Sequence, residues 1–86
     1  MLSFARSREW HDSENRVAFS ADDSGGIIIF FVGFTTLDRF GTVISPQDAL
    51  RIFGQNRPTI QRVAAAEHKS GKVILDSAAF DRHSVD

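Results

Sequence analysis

Eighty-six residues, 42% hydrophobic and 24% charged, are enough for one small folded unit and exclude an intrinsically disordered chain. Ten Lys and Arg against eleven Asp and Glu leave a formal charge of -1, so no global field draws the chain to nucleic acid or anionic lipid. With no Cys there are no disulfides, thiolate metal sites or Cys nucleophiles, so packing must hold the fold, and a reducing cytoplasm is the expected setting.

Taken in chain order, Leu2 to Ala5 reads as a short edge strand, in an opening stretch with no apolar signal-peptide core. Arg6 to Glu9 and Asp12 to Asn15 are turn formers on either side of Trp10, which is expected to anchor that loop. Arg16-Val17-Ala18-Phe19-Ser20 alternates, with Val17 and Phe19 inward, as a half-buried strand does. Ala21 to Gly26 then supplies turn formers, including two glycines free to take positive φ, and predicts an antiparallel hairpin.

The run Gly26-Ile27-Ile28-Ile29-Phe30-Phe31-Val32-Gly33-Phe34 is apolar at both parities. As a strand it carries Ile27, Ile29 and Phe31 on one face and Ile28, Phe30 and Val32 on the other. At roughly half the length a helix needs to cross a bilayer, and rich in β-formers, it reads as a strand and not a membrane span. Phe34, Leu37 and Phe40 then recur at threes, predicting one or two helical turns with Thr35 or Thr36 as N-cap and Gly41 as stop.

Ser45-Pro46-x-Asp48 marks the start of a second helix: Ser45 caps, Pro46 takes the first position, and Asp48 lies in the first turn where the dipole favours a carboxylate. Its apolar stripe reads Ala49, Leu50, Phe53, Arg57, Ile60 and Ala64, with Arg51, Gln55, Arg62 and Lys69 opposite. Pro58 interrupts the hydrogen-bond ladder, so either one helix kinks here or two short helices meet. Ser70-Gly71 ends the helical region, Lys72 to Asp76 is a last strand, and Phe80 docks a final turn. The expected fold is α+β, one two-layer domain over 1–86 with a mainly antiparallel sheet and helices on one face, and with 1–7 and 81–86 as the fraying segments.

Several of these residues, in this order, resemble a small bacterial family known as domain of unknown function 1488. The similar parts are Trp10 with Asp12, the hairpin ending in Gly25, Ile28-x-Phe30-x-Val32 followed by Leu37-Asp38, and Ala49-Leu50 leading through Phe53 to Arg57-x-x-Ile60 and Ala64. The family tends to place Trp and Asp adjacent, where His11 intervenes here, to carry Cys at Phe30, and often a polar residue at Ile29. The last difference makes one sheet face of this chain unusually apolar. The resemblance implies a fold and a bacterial cytoplasmic setting, and no activity.

Candidate chemistry is sparse. His11, His68 and His83 have no spacing that puts two imidazoles on one face, so no metal or cofactor is expected. Trp10-His11-Asp12 lacks a Ser nucleophile, and Gly25-Gly26 precedes a strand, not the helix a phosphate loop requires. No catalytic residue is identified. Arg57 stands apart because helical phase puts it on the apolar stripe, where it needs a carboxylate, with Asp12 and Asp38 the candidates, or else binds an anion. The reading is a non-catalytic interaction module that self-associates as a homodimer through Ile27, Ile29 and Phe31. The alternatives are a nucleic-acid-associated regulatory protein, disfavoured by the charge balance, and a small enzyme or anion-binding protein built on Arg57.

Overall fold

The computed structural model of the chain describes residues 2–5 and 9–83. Five strands, β1 (Leu2–Phe4), β2 (Trp10–His11), β3 (Arg16–Asp23), β4 (Ile27–Gly33) and β5 (Ile74–Leu75), form one mixed sheet. Its order is β1-β3-β4-β5, with β2 pairing to β3 alongside β1. The β3–β4 hairpin is the antiparallel centre, and β5 adds to β4 in parallel. Four helices, α1 (Phe34–Leu37), α2 (Pro46–Gln55), α3 (Arg57–His68) and α4 (Ser77–Arg82), complete the α+β fold.

The alternation in β4 divides its apolar residues as the pleat requires. Phe30 and Val32 are fully buried and join Val17, Phe19 and Ala21 of β3 and Leu75 of β5 in the core. Leu37, Ala49, Ile52, Phe53, Ile60, Val63, Ala64, Ala79 and Phe80 close over them from the helices. Phe19 is the hub, with its ring 5.4 Å from Phe30 and 4.9 Å from Phe53, separations typical of favourable aromatic pairs. Phe4 lies 6.1 Å from Phe19 and 6.0 Å from Phe30, so the first strand also contributes to this inner side.

Helix starts and stops follow local chemistry. The Ser45 hydroxyl accepts the Asp48 N–H at 3.2 Å while the Asp48 carboxylate accepts the Ser45 N–H, a complete capping box with Pro46 at the first position. At Pro58 two helices meet: α2 stops at Gln55, Asn56 is non-helical, and α3 starts at Arg57. Pro58 thereby falls in the first turn, where its missing N–H leaves no bond unmade. Neither Thr35 nor Thr36 caps α1, because the helix leaves β4 directly at Phe34, with Gly33 at the cap position and no side-chain cap. In the β3–β4 turn Ser24 takes the left-handed conformation, at φ 47°, and the glycines do not. β5 is shorter than Lys72 to Asp76, covering Ile74–Leu75. The expected fraying of 1, 6 and 7 and of 84–86 lies outside the described residues.

Candidate functional site

The sheet face turned away from the helices carries Ile27, Ile29 and Phe31. Pairing aligns Trp10, Ala18, Phe31 and Ile74 as one row across four strands of that face. Ala18 has no exposure yet is not part of the core cluster, because Trp10 and Phe31 flank it from the neighbouring strands. Phe31 is half-buried under the Arg16 guanidinium, whose carbon sits 4.0 Å from the ring centroid, a cation–π contact. Asp12 holds that guanidinium through Nε at 3.0 Å and Nη2 at 2.7 Å, and the Arg16 bond in turn keeps the Asp12 carboxyl below its usual range. Trp10 is therefore a strand residue, 43% exposed, and not a loop anchor.

The other end of this face is left open. Ile27 is 73% exposed and Ile29 41%, and back in the Phe31 row Ile74 on the edge strand is 57% exposed. Ser3, Ser20 and Asp22 bound them on the β1 side, so the uncovered apolar area lies along β4 and β5. Phe4 does not cross this face, since its ring is on the inner side with Phe19 and Phe30.

Arg57 occupies a different place from the one its helical phase suggests. Because the helix breaks at Asn56, Arg57 begins α3 and is half-buried rather than set on a continuous apolar stripe. Its carboxylate partner is Glu9, with Nη2 to Oε1 at 2.6 Å and Nε to Oε2 at 3.4 Å. Asp12 is taken by Arg16, and the Asp38 carboxylate accepts the Val43 N–H at 2.6 Å. The Arg57 guanidinium also lies 6.0 Å from the Phe53 ring.

A second buried carboxylate has no precedent in the sequence pattern. Glu67 is buried in α3 and accepts from Arg82 at 2.6 Å, with the His83 ring at 2.8 Å. The Arg82 hydrogen bond, reinforced by His83, holds its carboxyl below the ordinary range. His68 sits 3.3 Å from Asp23 at the side of a groove of about 520 Å³ lined also by Leu2, Phe4, Ala65 and Lys69. Among the described residues, no three His, Asp or Glu side chains gather as a metal would require. What these clusters do chemically is tie elements distant in sequence together, through Arg–carboxylate ion pairs and histidine hydrogen bonds. Arg51 is engaged by Asp48 at 3.3 Å, while Arg62 and Lys69 are exposed on α3 and just past its end.

The family model described as protein of unknown function (DUF1488) matches residues 2–73. The chain belongs to this family. None of the curated proteins matches it. Among solved structures, the chain is similar to a DUF1488-family protein of unknown function from Shewanella loihica PV-4, at a TM-score of 0.74 and 20% identity, covering 87% of this chain and 89% of that one. At that identity the likeness concerns the fold. Among the described residues, no helix is long and apolar enough to cross a membrane.

Proposed function

We propose that this DUF1488 protein is a non-catalytic interaction module that acts by self-association, as a homodimer formed through Ile27, Ile29 and Phe31. The observation that carries the reading is the exposure of Ile27 and Ile29 side by side on a sheet face that the chain's own helices leave uncovered. Isolated exposed apolar residues are ordinary, but Ile27 and Ile29 exposed two positions apart on one strand face, with Ile74 exposed on the neighbouring strand, make a surface that water covers poorly. A two-fold arrangement lets the same patch serve both copies. Anion binding at Arg57 has less support, because its guanidinium is engaged by Glu9. A nucleic-acid role has less as well, because Arg16 and Arg51 are each paired with a carboxylate.

Sedimentation velocity at micromolar concentration tests this. The wild type is expected to sediment as twice the 9.6 kDa chain, and Ile29→Lys as the monomer. A 9.6 kDa species that Ile29→Lys leaves unchanged would overturn the proposal.

A further inference from the structure

The apolar exposure on β4 coincides with a stretch of open strand edge. The Asp23 N–H donates to the Gly26 carbonyl at 2.9 Å, which sets the phase of the hairpin ladder. Hydrogen-bonded pairs alternate along an antiparallel ladder, so Ala21–Ile28, Phe19–Phe30 and Val17–Val32 are the bonded pairs. The N–H and C=O groups of Ile27, Ile29 and Phe31 therefore point away from β3. Phe31 is used: its N–H donates to the Val73 carbonyl at 2.9 Å, where β5 begins. β5 reaches only Phe31 and Val32, and among the described residues nothing bonds the outward backbone groups of Ile27 and Ile29.

Natural edges are blunted by charge, proline or a bulge, and Ile27-Ile28-Ile29 has none of these. We infer that this edge is where the second copy joins: β4 of one chain pairs antiparallel with β4 of another about a two-fold axis at Ile28. The inference rests on the self-association proposed above and specifies its geometry. Donors and acceptors match in that register. Ile27 of one copy faces Ile29 of the second, and Ile29 faces Ile27, so both pairs exchange N–H···O=C bonds. On the outer face the exposed Ile27 and Ile29 side chains become cross-strand neighbours, which places apolar burial at the residues that lack it. The edge is its own complement in backbone groups and in the isoleucines beside them.

Hydrogen exchange followed by NMR across a concentration series, together with sedimentation, distinguishes the outcomes. Ile27 and Ile29 amides are expected to gain protection as the dimer forms, while the already bonded Ile28 and Phe30 amides change little. Ile27→Pro removes an outward donor without touching a β3 bond, and is expected to weaken association roughly tenfold or more, two bonds being lost per dimer. A dimer in which these two amides stay unprotected, or in which folded Ile27→Pro associates as the wild type does, overturns the edge pairing and leaves face-to-face self-association standing. A chain that remains monomeric throughout overturns both and leaves the edge to another protein's strand.

Discussion

Removing Arg57 strands a carboxylate. The Glu9 side chain is only 8% exposed, and its two contacts with the guanidinium, at 2.6 and 3.4 Å, are the hydrogen bonds that compensate its burial. Breaking a buried pair from one side costs roughly 3–5 kcal/mol. Arg57 itself is 29% exposed, so water screens the pair and reaches the vacated carboxylate, which brings the expected loss for Arg57→Ala down to about 2 kcal/mol. Arg57→Met should lose less, because the methionine stem keeps the packing near Phe53. Urea denaturation of wild type, Arg57→Ala, Glu9→Gln and the double variant closes a thermodynamic cycle, with an expected coupling of about 1 kcal/mol. Asp12→Asn and Asp38→Asn should add to Arg57→Ala without coupling, since their carboxylates serve Arg16 and the Val43 N–H. Additivity of Glu9→Gln with Arg57→Ala to within about 0.3 kcal/mol would refute the assignment.

Ser45→Ala should cost about 1 kcal/mol by uncapping α2, read as a lower denaturation midpoint, and an unshifted midpoint counts against the capping box. Glu67 predicts an acid limb. Its folded carboxyl lies below the ordinary value of 4.5, so its contribution is present above that pH and is lost as pH falls through the lower folded value. Thermal melts between neutral pH and the acid range should show Glu67→Gln less stable near neutrality and less sensitive to acid than the wild type. Identical pH profiles would rule out Glu67 as a source of that limb.

Features governed by near neighbours were legible, and those governed by distant ones were not. Ser45, Pro46 and Asp48 are a complete helix start within four positions, and the capping box forms as written. The parity of Ile27 to Val32 assigns inner and outer residues because the pleat leaves no other choice. Pro58 announces an interruption, but whether a kink or a break follows depends on Asn56, whose side chain donates to the Ile52 carbonyl at 2.9 Å and ends α2. The Arg57 partner was out of reach, since Glu9 lies 48 positions away across a turn with no periodic relation to α3. Glu67, Arg82 and His83 are hidden for the same reason. α4 is a different case: Asp76 accepts the Ala79 N–H at 2.8 Å, an N-cap whose signal stands in Asp76-Ser77-Ala78-Ala79 itself.

The chain treats the two ends of its outer sheet face differently, and the difference follows from residue placement. At the Arg16 end, β2 pairs with β3, Trp10 flanks Ala18, and the Asp12-held guanidinium lies over Phe31, so Ala18 and Phe31 are covered from within while Trp10 itself stays 43% exposed. At the Ile27 end β1 brings Ser3 opposite Asp22, too polar and too short to cover isoleucines, and β5 stops at Phe31. Both omissions fall on Ile27 and Ile29 of β4, one leaving side chains exposed and the other leaving outward backbone groups without bonds among the described residues. A monomer would have to hydrate both at once, whereas the proposed pairing with a second β4 would remove both together, so a single contact would answer edge and side chains alike.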